Sequence, residues 1–124
     1  MRAVVKKSKL QGKVKAIASK SHAHRILIAA ALSEKETDII CEEASADIIA
    51  TIRCLEGMGA KIIPIESGYR VTPIKSILNI DKDIEIDCNE SGSTLRFLLP
   101  LVSALYRKPS ICKGFVPSSL IVTP

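Results

Sequence analysis

The sequence predicts an α/β fold, bordering on α+β, in which helices pack on mixed sheets. Short β-branched runs alternate with apolar helical segments in the order strand, helix, strand, helix, strand, strand, which is typical of helix-on-sheet layers. The same order begins again after the sixth element, and this indicates repeated βαβαββ units. Hydrophobic residues make up 47% of the chain, with 18 Ile but only two Phe, two Tyr and no Trp, so we expect an aliphatic core.

The first three predicted elements lie within residues 14–41. Residues 14–18 are predicted to form a short strand. Ser21 then opens a helix whose segment 26–32 is apolar on nearly all sides, as is typical of a buried helix. Residues 37–41 are rich in β-branched side chains and predict the next strand.

The second predicted helix has the clearest boundaries. Ser45 is a suitable N-cap, and Asp47 lies in the first turn, where a negative charge interacts favourably with the helix dipole. Gly57 and Gly59 are placed to end the helix. Between these ends, apolar residues recur at helical spacing: Ile48, Ile52 and Leu55.

The remainder of the chain predicts a hairpin and the start of a second unit. Residues 61–66 and 69–74 flank a Ser67-Gly68 turn and are predicted to pair as two strands. The later elements are a strand at 84–88, a polar turn at 90–94, an apolar helix at 95–105 and a strand at 110–113. Pro100 removes one helix hydrogen bond, so we expect that helix to kink or to start irregularly.

Charge is distributed unevenly along the chain. The formal net charge is +5, yet seven of the 18 basic residues fall in the first twenty positions, where there is no acid. The remaining 11 basic and 13 acidic groups nearly cancel. Few aromatic side chains are present to stack on bases, so a nucleic-acid partner is disfavoured. No apolar run approaches the roughly 20 residues of a membrane helix, so we expect no membrane partner and a cytoplasmic location.

Cysteine and histidine spacing gives no sign of a metal site. The cysteines are dispersed, and none is close in sequence to another or to a histidine, so we expect them to be small core residues. They are Cys41, Cys54, Cys88 and Cys112. His22 and His24 lie on different faces of the first helix, where we expect exposed polar side chains rather than a joint site.

Two small-residue turns open the apolar helices, and each has an arginine one turn inside. The first is Ser19-Lys20-Ser21 followed by Arg25, and the second is Ser91-Gly92-Ser93 followed by Arg96. Helix starts favour anions because their N–H groups lack intrahelical partners and the dipole is positive there. Lys and Arg add charge suited to carboxylate or phosphate. The simpler alternative is that Ser21 and Ser93 only cap helices.

Three ordered motifs give the chain a recognisable pattern. They are residues 19–25 (SKSHAHR) before the apolar segment 26–32, residues 45–60 (SADIIATIRCLEGMGA), and residues 91–96 (SGSTLR). In this order they resemble the enolpyruvyl transferases, and in particular the EPSP (5-enolpyruvylshikimate-3-phosphate) synthase family. The sister family that acts on UDP-N-acetylglucosamine has Lys-Asn where this chain has Lys20-Ser21, so the resemblance favours the shikimate branch.

The resemblance implies a reaction that composition alone does not. The family, which works in the shikimate pathway of aromatic amino acid biosynthesis, transfers enolpyruvyl from phosphoenolpyruvate to the 5-hydroxyl of shikimate 3-phosphate and releases phosphate. It uses no metal or organic cofactor, and its fold is an inside-out α/β barrel of two domains. The implied roles are catalysis and contact with both substrates for Lys20, shikimate 3-phosphate binding for Ser21 and Arg25, phosphoenolpyruvate binding for Gly92 and Ser93, and support for Arg96 and Asp47.

The resemblance also implies a domain organisation. Residues 1–20 are expected to be a basic strand that crosses to a second domain, and residues 21–124 to hold the first repeat and part of the second repeat of the N-terminal substrate-binding domain. The C-terminal domain is absent from this sequence, so the chain alone is expected to lack turnover. Its exposed apolar surface is then expected to contact that domain or another copy. Two alternatives stay open: a non-catalytic anion-binding module, and an enolpyruvyl transferase with another acceptor such as UDP-N-acetylglucosamine.

Overall fold

The computed structural model describes residues 3, 4, 7, 9, 11–14, 16–75, 83–108, 110–114 and 120–122. The elements in these residues follow the predicted mixed order. They are α1 (Lys20–Ala31), β1 (Thr37–Ile40), α2 (Ala46–Gly57), β2 (Lys61–Ile65), β3 (Gly68–Thr72), β4 (Ile84–Asp87), α3 (Gly92–Leu105), β5 (Ser110–Lys113) and β6 (Leu120–Val122). The predicted α/β class is therefore confirmed.

The first sheet is antiparallel and has the strand order β1-β3-β2. The predicted hairpin is confirmed: β2 pairs with β3 from Lys61 opposite Thr72 to Ile65 opposite Gly68. β1 pairs with the other edge of β3, and Ile40 lies opposite Gly68. At Gly68 the backbone of β1 comes so close that an added Cβ would lie 2.0 Å from the Ile39 carbonyl oxygen. Only glycine fits at this position.

The second sheet has the order β4-β5-β6. β4 and β5 are parallel and are connected through α3, whereas β6 returns antiparallel to β5. Strand β6 was not among the predicted elements, although its three residues, Leu120–Val122, are apolar and mostly β-branched. A run of three residues gives too little periodicity to be recognised in sequence.

Helix α2 is the central element, because it packs on α1, α3, β2 and β4 and so contacts both sheets. Its residues Ile48 and Leu55 are completely buried, as the helical spacing predicted. Fully burying one such side chain contributes roughly 1.5–3 kcal/mol. A single hydrophobic cluster therefore connects the two sheets through α2.

The strand predicted for residues 14–18 does not form in 14 and 16–18, the part of that segment that the structure describes. Val14 and Ile17 are 95% and 76% exposed. A strand needs a neighbour to pair its backbone groups, and none of the six described strands pairs with this segment. The predicted strand is therefore wrong for these described residues.

Two helix starts also differ from the predictions. Helix α1 begins at Lys20 with Ser19 as N-cap, and α3 begins at Gly92 with Ser91 as N-cap, three residues before the predicted start. The polar residues 91–94 had indicated a non-helical turn, but residues 92–94 belong to the first helical turn of α3. Helix α3 continues through Pro100, which is exposed on the outer side. In the described part of the chain, no helix is long and apolar enough to cross a membrane.

Candidate functional site

The start of α1 presents positive charge to solvent. Lys20 and Ser21 are exposed in its first turn, which contains no acidic residue. The N-cap Ser19 makes no side-chain capping bond, although its carbonyl accepts from the backbone N–H groups of His22 and Ala23. The positive end of the dipole is therefore not compensated by an acid in its own first turn.

The start of α3 has a similar character but a complete cap. The Ser91 hydroxyl accepts a hydrogen bond from the Thr94 backbone N–H at 3.2 Å, and the first turn again has no acidic residue. Gly92 is exposed and Ser93 is half-buried. A Cβ added at Gly92 would meet no atom within 4 Å, so the described protein does not itself require glycine there. The simpler alternative, that Ser21 and Ser93 only cap these helices, is wrong, since Ser19 and Ser91 are the N-caps.

Asp47 connects the two helix starts. It lies in the first turn of α2, which the Ser45 cap fixes, and its Oδ2 is 2.5 Å from the Lys20 Nζ. The nearby Lys20 and Ser91 side chains lower the pKa of Asp47, and the Asp47 backbone carbonyl lies 3.4 Å from the Thr94 hydroxyl of α3. Asp47 is therefore an ionised carboxylate that pairs with α1, and its backbone contacts the first turn of α3.

The two arginines have the same local geometry on their helices. Arg25 Nη1 donates to the carbonyl of Ser21 at 2.9 Å, and Arg96 Nε donates to the carbonyl of Gly92 at 3.2 Å, each four residues back. The Arg25 guanidinium also lies 5.1 Å from the centre of the Phe97 ring on α3. Both arginines are exposed, and each keeps further N–H donors for a ligand.

A buried polar group that sequence reasoning missed lies beneath these residues. His24 was expected to be exposed, but it is completely buried, and its Nδ1 lies 2.7 Å from the Thr51 hydroxyl of α2. Thr51 lies 2.8 Å from the Thr94 hydroxyl of α3, which donates to the Ser91 hydroxyl at 2.7 Å. The helical spacing could have predicted this burial, because His24 precedes Leu27 and Ala31 by three and seven residues and so lies on the buried face of α1.

The remaining titratable candidates are not part of this group. His22 is exposed, as expected. Within the described residues, no cluster of three or more His, Cys, Asp or Glu side chains could hold a metal ion. The cysteines are free thiols and all are buried, which confirms their prediction as core residues: Cys41, Cys54, Cys88 and Cys112.

Comparison with known proteins points to one family. The family model for EPSP synthase (3-phosphoshikimate 1-carboxyvinyltransferase) matches residues 4–114. The chain is 46% identical over 100 residues to a 3-phosphoshikimate 1-carboxyvinyltransferase of Clostridium beijerinckii, a match that covers 77% of this chain and 23% of the relative. A protein of the same name from Clostridioides difficile is 46% identical over 102 residues, which cover 76% of this chain and 23% of that relative.

A solved structure shows the same fold. The structure of EPSP synthase from Acinetobacter baumannii superimposes with a TM-score of 0.68 at 22% sequence identity, covering 85% of this chain and 24% of that one. The chain thus spans less than a quarter of the length of the curated relatives above.

Proposed function

This chain belongs to the EPSP synthase family, and we propose that it forms the N-terminal part of a cleft that transfers enolpyruvyl from phosphoenolpyruvate to the 5-hydroxyl of shikimate 3-phosphate, with release of phosphate. One observation carries the proposal. Asp47 contacts Lys20 through its carboxylate and the Thr94 hydroxyl through its backbone carbonyl, so the cationic starts of α1 and α3 lie side by side. Two neighbouring anion sites suit a reaction between two polyanions.

The start of α1 is the proposed site for shikimate 3-phosphate. Ser21 and Arg25 would bind its phosphate and hydroxyl groups, because a hydroxyl and a planar guanidinium offer several donors to oxyanions. Lys20, at the edge toward α3, would contact both substrates and serve as the catalytic cation. Asp47 would orient the Lys20 amino group between them.

The start of α3 is the proposed site for phosphoenolpyruvate. The open space beside Gly92 lets an oxyanion approach the backbone N–H groups of the first turn. Ser93 would add a hydroxyl donor. Arg96, which is bonded to the Gly92 carbonyl, would support this turn from the outer side.

We also propose the domain organisation that the resemblance implies: a basic segment at 1–20, and the first repeat and part of the second at 21–124. The shared geometry of α1 and α3 supports a repeat. Both helices begin after a serine N-cap, and each carries an arginine that bonds to a carbonyl four residues back in its own first turn.

Calorimetric titration of the chain with shikimate 3-phosphate tests the proposal. We expect binding in the unsubstituted chain and a loss of affinity of tenfold or more in Lys20→Ala and in Arg25→Ala, since each removes a charged hydrogen bond of about 1.5–3 kcal/mol. Lys13→Ala and Arg53→Ala are matched controls, because both side chains are exposed and lie on other segments. These two variants should bind like the unsubstituted chain.

The same titration separates the alternatives. Affinity that neither Lys20→Ala nor Arg25→Ala changes would contradict the substrate site. Binding of UDP-N-acetylglucosamine in place of shikimate 3-phosphate would instead assign the chain to the sister acceptor.

A further inference from the structure

We propose that His24 is a positioning residue: a neutral imidazole with its proton on Nδ1, which begins a one-way chain of hydrogen bonds through three hydroxyl groups and so fixes the helix starts beside Asp47 and Lys20. The chain runs across three helices, from α1 through α2 to the N-cap of α3. Its members are His24, Thr51, Thr94 and Ser91. The role of this hydrogen-bond chain in substrate binding rests on the function proposed above, whereas the direction in which its hydrogen bonds are donated does not.

The direction is set at the Ser91 end. The Thr94 hydroxyl donates to the Ser91 hydroxyl at 2.7 Å, and the Thr94 backbone N–H donates to the same oxygen at 3.2 Å. Ser91 thereby accepts with both of its lone pairs.

The donor and acceptor roles of Thr94 and Thr51 follow from this donation to Ser91. Because the Thr94 proton points to Ser91, the Thr94 hydroxyl must accept at its 2.8 Å contact with Thr51. The other contact of the Thr94 hydroxyl, to the Asp47 backbone carbonyl at 3.4 Å, is too long to compete for that proton. Thr51 therefore donates to Thr94 and can only accept from His24 at 2.7 Å.

His24 must then carry a proton on Nδ1. Its other nitrogen, Nε2, is buried and has no hydrogen-bond partner. Leaving the Nε2 lone pair without a partner costs less free energy than protonating Nε2, because a second N–H would place an uncompensated positive charge on a buried ring. Burial and the nearby charges of Lys20 and Arg25 lower the pKa of His24 despite the opposing effect of Asp47, which agrees with a neutral ring.

The chain lies beside the ion pair of Lys20. Lys20 and His24 lie one turn apart on α1, Lys20 pairs with Asp47, and the Asp47 carbonyl lies 3.4 Å from the Thr94 hydroxyl of the chain. The chain therefore fixes the N-terminal halves of α1, α2 and α3 relative to one another, and Asp47 holds the Lys20 amino group between them.

Nitrogen NMR of the ligand-free chain tests the direction without any substrate. Long-range proton–nitrogen correlation of nitrogen-15 histidine reports which ring nitrogen is protonated, and His22→Gln identifies the signals of His24. We expect the Nδ1–H tautomer for His24. In Thr94→Val the Thr51 hydroxyl loses its acceptor and becomes free to donate to Nδ1, so we expect a shift toward the Nε2–H tautomer.

Matched variants exclude a general effect of substitution. Thr72→Val removes a hydroxyl at a half-buried position on β3, where it donates to Glu36, and should leave the His24 tautomer unchanged. Thr94→Ala removes the same hydroxyl as Thr94→Val with a smaller side chain, and should also mix the tautomers if Thr94→Val fails to fold. An Nε2–H tautomer in the unsubstituted chain, or an Nδ1–H tautomer retained in a folded chain-breaking variant, would overturn the proposal.

Affinity for shikimate 3-phosphate tests the positioning role separately. We expect Thr94→Val to weaken binding roughly threefold to tenfold, the range of one hydrogen bond, and Thr94→Ser to restore it because the hydroxyl returns. Equal affinity in both variants would overturn the positioning role. If no variant binds shikimate 3-phosphate but the tautomer results hold, the proposed function fails and the hydrogen-bond chain stands.

Discussion

The Lys20–Asp47 ion pair contributes more to geometry than to stability. The two side chains are 43% and 27% exposed, and pairs at such positions contribute at most about 1 kcal/mol. Because the pKa of Asp47 is lowered below its ordinary 3.8, that contribution is present above this pH and is lost as the pH falls through the folded-state pKa. Near neutral pH the pair is therefore intact and Lys20 is oriented.

His24 makes stability depend on pH near neutrality. Its pKa is below the ordinary 6.5, so the stability from its neutral form is complete above pH 6.5 and is lost as the pH falls through the folded-state pKa. We expect the free energy of unfolding to decrease from pH 7 to pH 5, with a slope from this group of at most about 1.4 kcal/mol per pH unit, the limit for one proton. Urea unfolding at several pH values measures it.

The control for this prediction lies two residues away. His24→Asn removes the titrating group and should flatten the dependence, whereas His22→Gln removes an exposed imidazole and should leave it unchanged. A slope that persists in His24→Asn would show that another group causes it.

The sequence motifs indicated the exposed members of the proposed site but not the buried residues beneath them. Lys20, Arg25 and Gly92 belong to recognisable motifs at helix starts, and Asp47 was assigned to the cleft from the same resemblance. In the sequence, Thr51 and Thr94 look like ordinary helical residues. A buried hydroxyl is identified by its hydrogen-bond partners, and here His24 and Thr51 are 27 residues apart and Thr51 and Thr94 are 43 residues apart. His24 was wrongly assigned as exposed for the same reason.

At the scale of single elements, the β2–β3 hairpin depends on one glycine. A Cβ at Gly68 would lie 2.0 Å from the Ile39 oxygen and 2.6 Å from the Cys41 nitrogen, so Gly68→Ala must displace β1. We expect it to lower the free energy of unfolding by roughly 2 kcal/mol or more. Chemical denaturation of the purified variant measures this change.

Gly57→Ala provides the matched control for the hairpin. It lies at the end of α2, where an added Cβ would make an ordinary 3.9 Å contact with Ile86. Helix propensity alone then predicts a gain of up to about 1 kcal/mol. If Gly68→Ala is as stable as Gly57→Ala, the close approach of β1 does not restrict this position.

Element boundaries were predicted best where capping chemistry is local. Ser45 caps α2 as predicted, with its hydroxyl accepting from the Ile48 backbone N–H, and α2 ends at Gly57. The start of α3 was misplaced because its first turn, residues 92–94, consists of small polar residues that also occur in loops. Strand formation depends on a distant partner, which explains both the missing strand in 14 and 16–18, the described part of that segment, and the unforeseen β6.

At the scale of the whole molecule, one core joins both sheets, and the reactivity of the cysteine thiols measures whether this core opens. All four thiols are buried and so shielded from reagents, and burial raises the pKa of Cys41 and Cys112, so these two carry little reactive thiolate near neutral pH. We expect a thiol reagent such as DTNB to modify the folded chain only as fast as it unfolds. All four thiols should react at once in denaturant.

Ser103→Cys provides the control for the thiol prediction. Ser103 is exposed on α3, so its cysteine should react immediately in the folded chain while the native thiols do not. Rapid modification of a native cysteine in the absence of denaturant would show that the core does not open as one unit.

The hydrogen-bond chain from His24 to Ser91 has a consequence for protein synthesis. Thr94 follows Thr51 by 43 residues, which a ribosome needs a few seconds to add at about 5–20 residues per second. During that interval His24 and Thr51 have been synthesised, but the hydroxyl groups of α3 are not yet present. The proposed substrate site therefore reaches its final geometry only after α3 has been synthesised.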